Sequence, residues 1–487
     1  MEAELFEDCW ELILNQLAAD DINSLQSPCL VSKQFLSITN RLRHKLVASN
    51  RLFYSNNCEA LFRALQRFTN LHEIELHDPV FGDNADVNHP IRRIASSGLD
   101  LHSLSLESLQ KPPLPKTIMK LGLTMKNLKI LRCPRAKRFR NHHLVAIADA
   151  LPWLEELGIQ FSGTNFDSKS AKYMVTDAGI EVMSRKLRRL RKIDITGQVG
   201  CSDRSLIALS SNCELLLEIQ CACCRITEHG VCFVLRHSRN LISLDAGPYS
   251  SLQNDSFTFE NSMTYATSLR DLVLEPYGDH DRILSSISTA GIPLEKILIY
   301  EDSGLSLHGL TTFLCACPSL THLTLHDIDF LNDDSMRDLC QYLSSLVYIK
   351  LSCSTCSTLT ATTFFLLTKE CPVLSEIDLD FLKLQVEDDL DMVLERNYRI
   401  RSLKLGFCES NDEFLKKIGV ICPNLQTLNL TGLYGLTTES IGEILRCCSQ
   451  IKHLTVDRTR EMVTFLEQFQ TRHIKIEHHR ILEECND

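Results

Sequence analysis

No run of residues in this chain approaches the ~20 consecutive apolar positions that a bilayer-spanning helix needs, so no membrane is expected among its partners. A surplus of positive charge is missing too. Lys and Arg number 51 against 62 Asp and Glu, a formal net charge of −11, and nucleic acid is excluded as a general partner. The opening residues, MEAELFEDCW, are acidic where a secretory leader would be basic, and no such leader is expected. No glycine-rich phosphate loop or nucleophile elbow occurs, and the 17 histidines, His142-His143 and His478-His479 among them, are scattered. Cys221, Cys223 and Cys224 crowd together and Cys353 and Cys356 have CxxC spacing, yet no second CxxC or His pair follows at zinc spacing. The expectation is a chain with no catalytic residues and no metal.

What the chain has in abundance is a phase. Between Leu71 and Val456 it writes, fifteen times, an apolar residue, two free positions, an apolar residue, one free position and a third apolar residue. The anchors are Leu71, Leu101, Leu128, Leu154, Leu190, Leu216, Leu241, Leu269, Leu294, Leu320, Leu346, Leu374, Ile400, Leu425 and Ile451. Thirteen of the fourteen gaps run from 25 to 30 residues and one is 36. All forty-five positions are apolar, counting Cys133, Cys221 and Ala246. Such a repeat is the signature of a leucine-rich-repeat solenoid, an α/β stack with parallel inner strands and outer helices curved into a horseshoe.

The unit from Leu425 predicts how each repeat folds. Leu425, Leu428 and Leu430 alternate as a short strand does. Thr437 or Thr438 then caps a helix whose Ile441, Ile444, Leu445 and Cys448 share one face. The unit from Leu320 repeats this with Asn332 or Asp333 as cap and Met336, Leu339, Cys340 and Leu343 as the stripe. Five of the 21 cysteines, Cys213, Cys317, Cys371, Cys422 and Cys448, stand three residues before an anchor, and three of them precede proline. A small apolar side chain suits the helix end there, so reduced, structural thiols in the nucleus or cytoplasm are expected. At ~4.8 Å per strand, fifteen strands predict an inner rim of roughly 70 Å.

The first fifty residues differ. Glu7 and Asp8 open a first helix carrying Trp10, Ile13, Leu14 and Leu17; Asp20 or Asp21 caps a second with Ile22 and Leu25; Ser27-Pro28 starts a third with Val31, Phe35, Leu36 and Ile38. Three helices in about forty residues are too small for an independent core and need a partner surface.

This segment resembles an F-box, the motif that docks onto the Skp-family adaptor of cullin–RING ubiquitin ligases. Leu5, Ile13, Leu17, Leu25, Val31, Lys33 and Phe35 match the family pattern; Phe6 stands where proline is usual, Ser32 where cysteine is common, and Pro28 lies between the second and third helices. With the repeats, the whole chain resembles F-box leucine-rich-repeat proteins of the plant type. The resemblance implies residues 1–48 as F-box, 49–70 as linker or start of the solenoid, 71–458 as about fifteen repeats, and 459–487 as a C-terminal cap whose TREMVTFLEQFQTRHIKIEHHRILEECND is a charged helical tail. It implies Leu5, Phe6, Trp10, Ile13, Leu14, Leu17, Leu25, Val31, Lys33 and Phe35 as adaptor contacts. The function implied is that of a non-catalytic substrate receptor, tied through a Skp-family adaptor to a cullin–RING core and delivering a client protein for ubiquitination and proteasomal degradation. A repeat scaffold or inhibitor unrelated to ubiquitin, and a small-molecule-dependent co-receptor, are the alternatives.

Second, fourth and sixth places after each anchor face the solvent side of the inner sheet. They hold thirteen acids, Glu73, Glu75, Glu107, Glu156, Asp194, Glu218, Asp245, Asp271, Glu275, Glu376, Asp378, Asp380 and Asp457, against Arg132, Lys192, Lys296, Lys350 and Lys404. A basic client segment is the expected complement. The client-binding residues expected are Glu218, Asp245, Asp271, Glu275, Lys296, Tyr300, His322, His326, Tyr348, Lys350, Glu376, Asp378 and Asp380. The 36-residue gap puts about ten extra residues in FSGTNFDSKSAKYMVTD, a candidate binding loop. Two basic clusters, Arg132, Arg135, Lys137, Arg138 and Arg140, then Arg185, Lys186, Arg188, Arg189, Arg191 and Lys192, suggest a solvated outer face, with a polyanion such as an inositol phosphate as the alternative; no other cofactor is expected. KRFR and RKLRRLRK are weak nuclear-import candidates.

Overall fold

The computed structural model describes the chain apart from residues 1–6, 21, 26, 49–54, 78–85, 110, 137, 162–173, 248–258, 275–279, 301–303, 355–357, 387–394, 434–435, 469–473 and 480–487. It divides into two compact units, Met1–Phe257 and Thr258–Asp487. Among the described residues of the first, a helical segment (Glu7–Asp20, Ile22–Leu25, Pro28–Leu30, Lys33–Arg41) leads into eight strands, from Lys45–Ala48 to Ser243–Asp245. Each strand pairs in parallel with the next in chain order, Glu73 opposite Ser103 and Ile130 opposite Glu156. Among the described residues the second unit holds nine parallel strands, from Asp271–Leu274 to Lys475–His479, and a small parallel pair, Lys383–Leu384 with Glu409–Ser410. Helices follow most of the strands in both units; between Glu376–Asp380 and Ser402–Gly406, residues 387–394 lie outside the described residues. Each unit is a stack of leucine-rich repeats.

The repeat pattern is the core. Every one of the forty-five apolar places is buried except Leu274, whose side chain lies outside the described residues. The five cysteines before the anchors are all buried helix C-caps. Several donate their S–H to a carbonyl of the preceding repeat, as Cys213 does to Leu187 (3.5 Å) and Cys448 to Cys422 (3.3 Å). Burial pushes the Cys213 and Cys448 thiols up to about 12.

Two strands lie outside the fifteen expected. Lys45–Ala48, inside the segment assigned to the docking motif, pairs with Glu73–Leu76, and helix Ser55–Arg67 follows it in the stretch read as linker or start of the solenoid. Arg43 takes this repeat's anchor place, so the apolar pattern misses it. At the other end, helix Arg460–Leu466 gives way to strand Lys475–His479, so the tail is not wholly helical. Register with His453–Asp457 puts His478 where an apolar residue would have marked the repeat.

Two local devices recur. At the seventh place after the anchor the backbone is left-handed: Ser108, Arg135, Gly197 and Cys223 in the first unit, Asp327, Phe381, Phe407 and Gly432 in the second. Glycine takes this conformation freely, while other residues lose about 1–2 kcal/mol there. The second device is a staple between helix N-termini. Asp177 accepts bonds from Ser202 and Ser205, Asp333 from Thr360 and Thr363, and Asp203, Asp281 and Asp412 hold Thr227, Ser306 and Thr437 alike. Where glycine replaces the second hydroxyl residue, at Gly230 and Gly309, a Cβ would come within 2.4 Å and 1.9 Å of the staple's carboxylate oxygen.

Candidate interaction surfaces

The N-terminal helices build a small core of their own. Leu14, Leu25, Ile38 and Leu42 are buried together, with Trp10, Ala18 and Phe35 packed against them. Trp10 meets Phe35 edge to face at 4.8 Å. The third helix does not start at Ser27-Pro28. Pro28–Leu30 forms a single 3-10 turn, and Ser27 makes no side-chain cap bond. Ser32 extends the backbone instead and its Oγ accepts the Phe35 N–H at 3.1 Å, which starts helix Lys33–Arg41. Arg41 closes the bundle by donating to Glu7 (2.6 Å) and Glu11 (3.0 Å), and these bonds hold its guanidinium pKa above the ordinary value.

Trp10, Ile13, Leu14 and Leu17 therefore do not act as one face. Trp10, Leu14, Leu25 and Phe35 turn inward, while Ile13, Leu17, Val31 and Lys33 stay exposed; Leu5 and Phe6 lie outside the described residues. Leu12 and Leu30, at 71% and 85% exposed, join this outer apolar set and were not anticipated. No sequence signal marked Leu30, because Ser27-Pro28 reads as the start of a longer helix, whereas Pro28–Leu30 forms only a three-residue turn that buries nothing. Beside the segment, a hollow of ≈ 680 Å³ is lined by Arg43, His44, Lys45, Arg67 and Phe68, with Arg43 and Arg67 both over the Phe68 ring.

The expected inner-face charges do lie on the strands, but they are extensively paired. In the first unit Lys45 reaches Glu73 (3.3 Å) and Glu75 (2.6 Å), Arg132 binds Glu156 through two bonds, Lys192 meets Glu218 at 2.5 Å, and Arg135 pairs with Glu107. Burial raises the Asp194 carboxyl above its ordinary value despite an N–H bond from Thr196. An unbroken acidic ribbon is thus not what this sheet presents. Of the two basic clusters, Arg132, Arg135, Lys192 and also Lys186, which pairs with Asp149, have carboxylate partners. Lys137 lies outside the described residues, as does most of the loop after Phe161.

In the second unit strand register sorts the expected residues into three rows. The second-place row runs from Asp271 through Lys296, His322 and Tyr348 to Glu376. His322 stacks on Tyr348 at 5.7 Å, and burial lowers its pKa, with Lys296 adding to the effect. In the fourth-place row Lys350 and Lys404 each approach Asp378 to 3.8 Å, and Lys350 also bonds Asp380 at 2.6 Å. Burial raises the Asp378 carboxyl and pushes up the Tyr348 hydroxyl, 3.5 Å from Asp378. Burial alone would lower the Lys350 pKa; the hydrogen bond it donates to Asp380 and the field of Asp378 raise it instead. The sixth-place row brings Tyr300 and His326 together at 4.9 Å. Glu275 lies outside the described residues, while Glu218 and Asp245 belong to the first unit.

No protein-family model matches the chain, and no curated protein matches it by sequence. One similar solved structure is the crystal structure of a Rad7 and Elc1 complex in yeast, at a TM-score of 0.48 and 16% identity, covering 90% of this chain and 96% of that chain. Identity that low transfers no residue's role.

Sequence reasoning missed a further pair. Phe381 and Phe407 stack at 5.4 Å with an angle of 12° between ring planes, both well exposed beside the sixth-place row. Among the described residues no group of three or more His, Cys, Asp or Glu side chains converges as a metal site, and no helix is long and apolar enough to cross a membrane. Cys221 and Cys224 are buried and donate to the carbonyls of Asp245 and Ile195. The described surface thus carries paired charges and aromatic faces on the strands, and an apolar patch on the N-terminal helices.

Proposed function

We propose that the chain is the substrate-recognition subunit of an SCF-type ubiquitin ligase, with residues 7–42 docking a Skp-family adaptor and the repeats holding a client protein. The observation that carries this reading is the division of labour in the N-terminal helices. Leu14, Leu25, Ile38 and Leu42 satisfy the internal core, and Leu12, Ile13, Leu17, Leu30 and Val31 remain outside it. A cap for the repeats would turn such residues toward the stack; a docking motif keeps them available. The chain's part in ubiquitin transfer is then proximity: the repeats raise the effective concentration of a client lysine near an enzyme carried by the cullin–RING core, and other subunits do the chemistry.

The test is capture of a purified Skp-family adaptor by the full-length chain, measured by size exclusion and biolayer interferometry. Ile13→Asp with Val31→Asp places two carboxylates in the apolar interface and should weaken capture at least thirtyfold, about the effect of losing one hot-spot residue. Both side chains are exposed, so the melting temperature should stay constant. Undiminished capture by this variant would refute the assigned docking face.

A further inference from the structure

The left-handed turn at the seventh place of the repeat is filled by small or polar residues in most of the repeats that show it, and by phenylalanine in two successive ones. Phe381 (φ 64°) and Phe407 (φ 52°) adopt a conformation that bulky side chains rarely take. Burial does not offset that strain, since the residues are 42% and 47% exposed. The next repeat makes room for the pair: Gly432 lies where a Cβ would come within 2.4 Å of Phe407 Cδ1.

Their surroundings indicate what they face. Among the described residues the adjoining sixth-place row, Tyr300, His326, Ser352, Asp380 and Gly406, contains aromatic, acidic and small residues and no lysine or arginine. The cation that reaches Asp380, Lys350, comes from the fourth-place row at 2.6 Å and also has Asp378 at 3.8 Å. We propose that Phe381 and Phe407 form a platform for an arginine-bearing segment of the client, with a guanidinium stacked on the rings and its charge directed at Asp380. Arginine suits the site better than lysine, because a planar guanidinium lies flat on a phenyl face and meets a carboxylate through two parallel bonds. Lys350 keeps Asp378 as its partner when Asp380 is taken. Naming the occupant as a client rests on the function proposed above; the binding itself needs no adaptor.

The test uses the full-length chain and a fluorescein-labelled peptide, Gly-Ser-Arg-Gly-Arg-Ser-Gly, followed by fluorescence anisotropy. A control peptide carries citrulline, of the same shape without the charge, at both arginines. The arginine peptide should bind and the citrulline peptide should bind roughly tenfold more weakly, as loss of cation–π and ionic contacts predicts. The double variant Phe381→Gly, Phe407→Gly removes both rings while giving the turns their preferred residue. It should lose binding of the arginine peptide by about the same factor and melt at the same or a higher temperature. Asp380→Asn should weaken binding as well. No binding of the arginine peptide, equal binding of the citrulline peptide, unchanged binding by the double variant, or a clear fall in its melting temperature would each overturn the proposal. Adaptor capture measured on the same samples keeps the two readings apart, since either can fail while the other stands.

Discussion

Replacing Asp177 by alanine removes a staple that reaches from one repeat into the next. Its carboxylate accepts the Ser202 N–H (2.8 Å), the Ser202 hydroxyl (2.8 Å), the Ser205 N–H (3.1 Å) and the Ser205 hydroxyl (2.6 Å). Those two amides are at the start of helix Asp203–Asn212, where no earlier turn supplies acceptors. Bonds to a charged group contribute roughly 1.5–3 kcal/mol each, and a lost cap costs about 1 kcal/mol. The four share one carboxylate that is only partly shielded, so they do not add, and a total near 2–4 kcal/mol is expected. Asp177→Asn should cost about half as much, because Asn141 already plays this part toward Thr176 with its amide. The sign of the pH effect follows from the same bonds. Burial alone would raise the Asp177 pKa, but the Ser205 and Ser202 bonds hold it below the ordinary value of 3.8. Its stabilisation is therefore complete above pH 3.8 and is lost as pH falls through the lower folded-state value. Urea unfolding at neutral pH, with hydrogen exchange read over residues 202–212, measures the effect. An alanine variant within about 0.5 kcal/mol of wild type, with unchanged exchange there, would refute the staple's role.

Further outcomes are expected. His143, whose Nδ1 accepts the Arg140 N–H at 3.2 Å, has its pKa pushed down from 6.5 to about 4, chiefly by burial. The unfolded chain takes up that proton first, so stability should fall by about 2–3 kcal/mol between pH 6.5 and 4, and His143→Gln should flatten this part of a pH–stability curve. Leu403, fully buried at the middle place of its repeat, should cost roughly 2–5 kcal/mol when changed to alanine, measured by urea denaturation. A thiol-titrating disulfide reagent should modify exposed Cys223, Cys315 and Cys447 at once, whereas buried Cys133, Cys201 and Cys408, each pushed up to about 12, should react only after denaturant is added.

The repeats were legible because each must bury the same three side chains, and burial leaves a trace in composition wherever it recurs. The end repeats were not, because Arg43 and His478 stand at places where the pattern demands an apolar residue. The inner-face charges could be enumerated from Leu71 onward, but their pairing could not. Lys45 belongs to an unread repeat, and Arg135 reaches Glu107 from a left-handed turn. Those turns were hidden for a related reason: Ser108, Cys223 and Phe407 are not residues that announce positive φ. The staples left a faint signal, an aspartate followed 24 to 27 residues later by serine or threonine, visible only once the period is known. In the N-terminal segment the helices were placed well, but Ser32 rather than Ser27 caps the last of them. Helical periodicity gave one apolar stripe where packing divides the residues into an inner and an outer set.

Only Leu42, Arg43 and His44 separate helix Lys33–Arg41 from the first strand, and that junction is cross-tied: Asn70 donates to the Arg41 carbonyl, Arg67 to Asn40, and His44 bonds the Asn70 carbonyl. There is no slack in such a joint. Whatever grips the N-terminal helices fixes the direction in which the first repeats point, as a bracket fixes a shelf. A glycine–serine insert after Leu42 would leave grip and cargo intact while letting the two swing freely, and in a ligase it would blur which lysines come within reach.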